Sequence, residues 1–174
     1  MRKIISLLLV LTLVMSLALS LSACNNAEAP EIPEGYKLYE NEYISFAYPE
    51  DWSFQTGSVD ILMNPAGSGN NITIVFENKT DVYDNLTVES FNETLKPSYE
   101  AMGMSLSNVA ISHENSNNLK FVKLSYNARM SGVSMKQTAI ITTVGNRTYS
   151  ITVTEVSSDA ELLQNVIDTL YSKK

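Results

Sequence analysis

Few residues in this 174-residue chain have side chains suited to catalysis or metal binding. His113 is the only histidine and Cys24 the only cysteine, so neither has a second imidazole or thiol with which to hold a metal ion. There is no Gly-x-Ser-x-Gly motif and no Asp-rich calcium loop. Glu50 and Asp51 are adjacent, and neighbouring side chains of an extended segment point to opposite sides. The sequence therefore predicts a protein that is not an enzyme and has no cofactor or metal.

The first 24 residues have the pattern of an export signal. Arg2 and Lys3 precede an apolar run over residues 4–21, and the small residues Ser22 and Ala23 follow. Length alone leaves two alternatives open. One is an ordinary cleaved signal, and the other is an uncleaved membrane helix, which needs about 20 apolar residues.

The segment Leu21-Ser22-Ala23-Cys24 resembles the lipobox of bacterial lipoproteins. The resemblance implies that residues 1–23 are a signal peptide and that the Cys24 sulfur carries a diacylglycerol. Two or more acyl chains anchor a protein stably, because each buried methylene contributes about 0.8 kcal/mol. We therefore expect the membrane to be a partner through a lipid anchor at Cys24, on the extracytoplasmic face of a bacterial cell membrane.

The charge of the chain is acidic and uneven. The formal net charge is −7, and loss of Arg2 and Lys3 with the signal would make it −9. Nucleic acids and anionic lipid surfaces both require a positive footprint, so we expect no nucleic-acid partner. Between residues 24 and 60, Lys37 is the only base. This acidic part could attract a basic protein or loosely held cations, or it could simply favour solubility.

The 151 residues left after removal of the signal suit one domain. Residues 24–35 contain Pro30 and Pro33 and no apolar periodicity, which predicts a flexible tether. Residues 36–174 are predicted to form a single α+β domain. Strands are expected in its first half at Tyr36–Tyr39, Tyr43–Tyr48, Val59–Met63 and Ile72–Phe76.

From Thr87 to Gly103 the apolar spacing becomes that of a helix, which Pro97 should bend or divide. Alternating residues then predict a meander of about four antiparallel strands. The chain closes with a helix that the capping box Ser158-x-x-Glu161 would open. Lys173 and Lys174 would then lie at the negative end of its dipole.

These elements predict an α+β fold with a central antiparallel β-sheet of about six strands, including the C-terminal meander. The intermediate helix and the C-terminal helix would pack against this sheet in an α/β/α sandwich-like arrangement.

The polar residues of the meander form the first candidate binding surface. If the apolar sets face the helices, the opposite face is rich in threonine and carries Lys123, Arg129 and Lys136. These cations could dock a partner, or the face could be the ordinary solvated side of an antiparallel sheet. The other polar members are Ser125, Asn127, Ser134, Thr138, Thr142, Thr148, Ser150, Thr152 and Thr154.

Trp52 and Tyr48 form the second candidate site. They could line an aromatic pocket for a small ligand. The alternative is that Trp52 anchors the core at the start of a strand.

The run Tyr43-Ile44-Ser45-Phe46-Ala47-Tyr48-Pro49-Glu50-Asp51-Trp52 resembles the opening segment of PsbP-like domains, many of which occur as bacterial lipoproteins. The later order of helix, meander and terminal helix is also similar to that family, so the resemblance covers roughly Tyr36 to Tyr171. It implies a central antiparallel sheet between helices, and hence a helix over part of the face predicted to be polar.

Members of that family are mostly binding or assembly factors without a shared active site, so the resemblance supplies no catalytic residues. The expected function is a non-enzymatic, lipid-anchored binding or assembly domain that docks onto another envelope protein. The alternative is a small-ligand-binding lipoprotein with an aromatic-lined pocket.

Overall fold

The computed structural model describes residues 29–65, 67–159 and 161–174, so the signal segment and Cys24 lie outside the described residues. Within these ranges no helix is long and apolar enough to cross a bilayer. The helices are α1 (Val88–Thr94), α2 (Lys96–Ala101) and α3 (Leu162–Thr169). The strands are β1 (Tyr36–Glu40), β2 (Ile44–Pro49), β3 (Ser53–Gln55), β4 (Asp60–Met63), β5 (Asn71–Asn78), β6 (Ser105–Ser116), β7 (Leu119–Met130), β8 (Val133–Val144), β9 (Arg147–Glu155) and β10 (Tyr171–Ser172).

Two antiparallel sheets build an α+β fold, which confirms the predicted class. The large sheet has the strand order β3-β4-β5-β9-β8-β7-β6, and the small sheet has the order β1-β2-β10. The predicted meander is β6 to β9. The sequence did not reveal β3 and β10, because two or three residues are too few for an alternating pattern.

Each face of the large sheet packs against a different layer. The α3 face carries Ile140 and Ile151 and packs against α3 and the small sheet in one apolar cluster. The α1 face carries Val122 and Ile141 and forms a second cluster with Phe91 of α1. The sheet is therefore covered on both sides, as the sandwich-like prediction requires.

The helix predicted after Thr87 is divided as expected. Thr87 caps α1, because its Oγ1 accepts a hydrogen bond from Ser90 N at 3.2 Å while Ser90 Oγ accepts one from Thr87 N at 3.0 Å. The helix breaks at Leu95, and Pro97 lies in the first turn of α2. Proline is tolerated there because the first backbone amides of a helix have no partner within the helix.

The register of β8 and β9 shows that the predicted polar face is not one surface. Ile140 lies opposite Ile151, and Ile141 lies opposite Ser150. The apolar set of β9 therefore shares a face with the polar set of β8, because the central strand β8 is buried on both faces and its alternation is misleading. Lys123, Ser125, Thr138 and Thr142 lie on the α3 face, whereas Thr148, Ser150, Thr152 and Thr154 lie on the α1 face.

Several of these threonines are interior residues with hydrogen-bond partners. Thr138 is fully buried, and its hydroxyl lies 3.0 Å from that of Ser125. The Thr142 hydroxyl donates to Lys120 O at 2.8 Å, and the Thr148 hydroxyl accepts from Thr80 N at 3.0 Å. These threonines belong to the packed interior, since buried polar groups remain only where they are paired.

The predicted capping box of the last helix is wrong. Leu162 N donates instead to Asp159 Oδ1 at 3.2 Å, and no side chain caps the helix from Glu161. The chain then turns into β10, which pairs with β2. Lys173 and Lys174 consequently pair with Glu40 at 3.0 Å and Glu42 at 2.6 Å, rather than lying against the helix dipole.

Two substitutions in paired strands test this division of faces. Ile151→Ala removes a fully buried side chain of the α3 face and should lower the free energy of unfolding by about 2–5 kcal/mol in chemical denaturation. The control Val75→Ala, on the α1 face of the neighbouring strand and 44% exposed, should cost less than about 1 kcal/mol. Equal losses for the two variants would contradict the assigned register.

Candidate functional site

Trp52 and Tyr48 lie in the core. Their exposed fractions are 3% and 6%, and they belong to the cluster between the small sheet and the α3 face. Lys37 Nζ donates to Trp52 O at 3.0 Å and lies 5.1 Å from the centroid of the Tyr48 ring. Neither aromatic residue lines the cavities at the two ends of the sheet.

Lys123 is separated from the other two predicted cations. Its Nζ lies 2.5 Å from Glu114 Oε1, which also accepts from Ser112 Oγ at 2.6 Å. Hydrogen bonds from Lys123 and then Ser112 hold the pKa of the Glu114 carboxyl below its ordinary value. Lys123 is six residues before Arg129 on β7, a separation of about 20 Å along a strand.

Arg129 and Lys136 come together at the end of the sheet that contains the β7–β8 turn, which we call the distal end. Directly opposed residues of neighbouring strands share a face. One row of the α3 face contains Ser105, Arg129 and Ser134. The next row contains Ser107, Asn127, Lys136 and Glu155.

These two rows form the floor of a groove of about 590 Å³, here called the distal groove. Val156 and Ser158, in the connection from β9 to α3, also line it. Hydroxyls, an amide, two cations and one carboxylate therefore face a single open space. Leu106, Ala128 and Met135 add apolar surface, so the groove offers both polar and apolar contacts to a ligand.

The distal groove carries uncompensated positive charge. Glu155 is only 8% exposed, and its Oε1 accepts from Asp159 N at 3.2 Å while its Oε2 lies 3.6 Å from Lys136 Nζ. Lys136 is 53% exposed. Arg129 makes no ion pair with any residue in the described ranges. Since Glu155 offsets Lys136, the guanidinium of Arg129 is left to attract an anionic group.

The wall of the groove is held by the buried side chain of Asn70. Its Oδ1 accepts from Val156 N at 2.9 Å and Ser157 N at 3.1 Å, and its Nδ2 donates to Ser157 O at 3.0 Å. Gly69, with a φ of +83°, lets the loop approach so closely that a Cβ there would lie 2.9 Å from Val156 Cγ2. Asn70 thus draws the chain away from β8 just after Glu155.

A second cavity, of about 1140 Å³, lies at the opposite end of the sheet. Lys173 and Lys174 line it but are engaged by Glu40 and Glu42. His113 also lines it, with Nε2 3.2 Å from Leu86 O. In the described part of the chain, no three residues among His, Cys, Asp and Glu are grouped to hold a metal ion. Lys120, which makes no ion pair with a described residue, also lines this open depression, but it shares the lining with the carboxylates of Asp84 and Glu114.

Sequence reasoning missed several residues of the distal groove. The alternation of apolar and polar residues in β6 becomes visible only from Val109, after Ser105 and Ser107. The reason is a bulge between Ser107 and Ala110, which shifts the register of the strand. Asn108 has a φ of +53° at this bulge. The Gly-Ser-Gly segment before Asn70 was the one other feature of the sequence near this groove, and by itself it indicates only a turn.

The chain enters the domain at the distal end. Glu50 N donates to Gly35 O at 2.9 Å, and Trp52 N donates to Pro49 O at 3.1 Å. Ser53, which follows Trp52, begins a row of directly opposed residues across the large sheet. The row consists of Ser53, Met63, Asn71 and Thr154. This row adjoins the one containing Glu155, so the N-terminal segment and the distal groove lie at the same end, about 20 Å apart across four strand spacings.

Comparisons with solved structures show the same fold in other proteins. The solution structure of cyanobacterial PsbP (CyanoP) from Synechocystis sp. PCC 6803 superposes with a TM-score of 0.60 at 13% identity, over 86% of this chain and 97% of that one. A crystal structure from Bacteroides thetaiotaomicron VPI-5482 superposes with a TM-score of 0.54 at 16% identity, over 80% of this chain and 48% of that one. The domain therefore has the PsbP-like fold. No protein-family profile and no curated relative matches the sequence.

The role of Asn70 in holding the groove wall is testable. Asn70→Ala leaves two backbone amides without their acceptor, so the free energy of unfolding should fall by about 1–3 kcal/mol. Hydrogen exchange at Val156 and Ser157 should accelerate. The control Asn71→Ala removes side-chain hydrogen bonds to Gly69 O and Thr73 but none to Val156 or Ser157, so it should accelerate their exchange much less. Unchanged exchange in Asn70→Ala would refute the proposed support.

The pairing of Lys123 with Glu114 predicts a dependence on pH. Lys123→Met should raise the Glu114 pKa toward its ordinary value of 4.5, measured by NMR titration of the carboxyl. Because folding lowers this pKa, the pair stabilises the fold above pH 4.5 and loses that contribution as the pH falls through the folded-state pKa. The control is Lys120→Met, at a lysine of the same strand that makes no ion pair with a described residue, and it should leave the titration unaltered.

Proposed function

We propose that the protein is a lipid-anchored, non-enzymatic domain on the extracytoplasmic face of the membrane, which docks onto another envelope protein through the distal groove. The observation that carries this proposal is the guanidinium of Arg129, which has no ion pair with a described residue, beside half-exposed Lys136 in an open groove. An unpaired cation in a concave site favours encounter with an oppositely charged partner.

The position of the groove supports an anchored role. The tether predicted to follow Cys24 joins the domain at Gly35, at the distal end. Twelve residues reach at most about 40 Å when fully extended. A lipid on Cys24 would therefore keep the distal end within reach of the extracytoplasmic parts of membrane proteins.

The chemistry of the described site supports binding rather than turnover. Glu155, the only carboxylate in the groove, is occupied by Lys136 and by the backbone of Asp159. A general base must reach a substrate proton with a free lone pair, and a nucleophile needs an adjacent base. The serines of the groove have no histidine or free carboxylate beside them.

The small-ligand alternative receives less support. Its predicted pocket depended on Trp52 and Tyr48, and both side chains are committed to the core. The distal groove is large enough for a small ligand, since such sites commonly measure about 300–1,000 Å³. Its lining combines polar and charged side chains with the apolar residues Leu106, Ala128, Met135 and Val156, and its two cations favour an anionic segment of a protein partner.

Site-specific crosslinking in intact cells tests the proposal. A photoreactive amino acid in place of Ser134 should crosslink to one envelope protein, because Ser134 lies on the groove floor. The same amino acid in place of exposed Glu93 on α1 is the matched control and should give none. Arg129→Glu should abolish the Ser134 crosslink, and Cys24→Ala should reduce it.

A Ser134 crosslink that survives Arg129→Glu, or crosslinks from Glu93 to the same protein, would place docking elsewhere. Undiminished crosslinking in Cys24→Ala would remove the anchor from the proposal.

A further inference from the structure

We infer that the partner contributes a short extended segment that pairs with the free edge of β8, with acidic and apolar side chains alternating along it. This inference rests on the proposed docking function and names the chemistry of the docked segment. Three features of the distal end support it. They are the unpaired edge of β8, the contacts that keep this edge unpaired, and the different chemistry of the two sheet faces beside it.

The free edge exists because β8 is longer than its neighbour β9. The last pair between them is Lys136 with Glu155, whereas β8 continues to Val133. Ser131 and Gly132 both have positive φ, 51° and 86°, which is typical of a two-residue type I′ hairpin turn. In such a hairpin the flanking pair, Met130 and Val133, is hydrogen-bonded.

The backbone of alternate residues in an antiparallel strand points to opposite neighbours. Val133 is directed to β7, so the N–H and C=O of Ser134 are directed to the side that β9 has vacated. Ser134 therefore presents a donor and an acceptor to an added strand, next to the distal groove.

Asn70 keeps this edge open. Its carboxamide oxygen takes the amides of Val156 and Ser157, the residues that would otherwise extend β9 along β8. The clearance provided by Gly69 allows this contact. The long edge strand of the large sheet, β6, is protected differently, since it carries a bulge between Ser107 and Ala110. The open edge of β8 is thus built by specific contacts of the fold.

The two faces beside the open edge differ in chemistry. The α3 face carries Arg129 and Lys136. The α1 face carries Met130 and Val133, which are 41% and 47% exposed, and the partly buried Met135. Side chains of an added strand alternate between these faces. Acidic residues would then meet Arg129 while apolar residues meet methionines, whose flexible side chains adapt to varied surfaces.

Binding of a synthetic peptide to the purified chain, followed by NMR of the Ser134 amide, tests this inference. The probe is a capped heptapeptide in which glutamate alternates with valine, and saturable binding should shift the Ser134 resonance. Replacing each glutamate with lysine should abolish binding. Arg129→Glu should weaken binding about tenfold or more, whereas the matched control Lys120→Glu, at the opposite end of β7, should not.

Strand addition is isolated by methylating the peptide backbone. Two versions of the peptide are made, one N-methylated at the odd-numbered amides and the other at the even-numbered amides. Because alternate amides of a strand face opposite sides, only one version blocks the amides that face β8. That version should bind about fivefold or more weakly, whereas the other should bind as the parent does.

Equal binding of the two methylated versions would overturn strand pairing, and binding of the lysine peptide would overturn the acidic preference. No saturable binding below about 1 mM would overturn the inference as a whole. The in-cell crosslink from Ser134 is independent of these results, so a failed peptide test with a persisting crosslink would leave the docking function in place.

Discussion

The register between β8 and β9 is the constraint on which the rest of the structure depends. It is set at the β8–β9 turn, where Gly145 has a φ of +61° and Tyr43 approaches so closely that a Cβ would lie 3.1 Å from its Cε1. Counting from that turn places Ile140 opposite Ile151 and Ile141 opposite Ser150. Because β8 then has apolar side chains on both faces, the sheet needs a covering layer on each side. The small sheet with α3 provides one layer, and α1 with α2 provides the other.

The same geometry explains where a surface is left over for binding. Strands β6, β7 and β8 extend beyond the part of the α3 face that is covered by α3, and the α3-face side chains at this extension are polar. Their chemistry changes from Ile140 and buried Thr138 to Lys136 and Ser134 as the cover ends. Asn70 fixes the boundary, since a buried carboxamide with its oxygen and nitrogen both bonded is far more stable than one left partly unpaired. The groove is therefore a consequence of unequal strand lengths secured by one polar contact.

Sharing the PsbP-like fold does not supply a function, because one fold can carry many unrelated sites. The features on which we base a function are Arg129, which has no ion pair with a described residue, the vacated edge of β8 and the exposed methionine and valine beside it. All three lie at the end of a sheet, where packing constrains the side chains less than it does in the core. Trp52 and Tyr48, in contrast, belong to the segment that most resembles the family, and they serve the core that the fold requires.

The sequence by itself determined the fold class, the meander, the division of the helix at Pro97 and the presence of basic residues on β7 and β8. Those features depend on local periodicity, proline geometry and residue type, which are visible in one dimension. Only the tertiary structure decided that Lys123 is bound to Glu114 while Arg129 has no ion pair with a described residue. It also decided that the threonines of β9 lie on the face opposite to Thr138 and Thr142 of β8. It also decided that Asn70 shapes the distal groove by binding Val156, which is 86 residues away in sequence. Cross-strand register and long-range hydrogen bonds join residues whose spacing along the chain carries no periodic signal, so they become apparent only when the strands are paired.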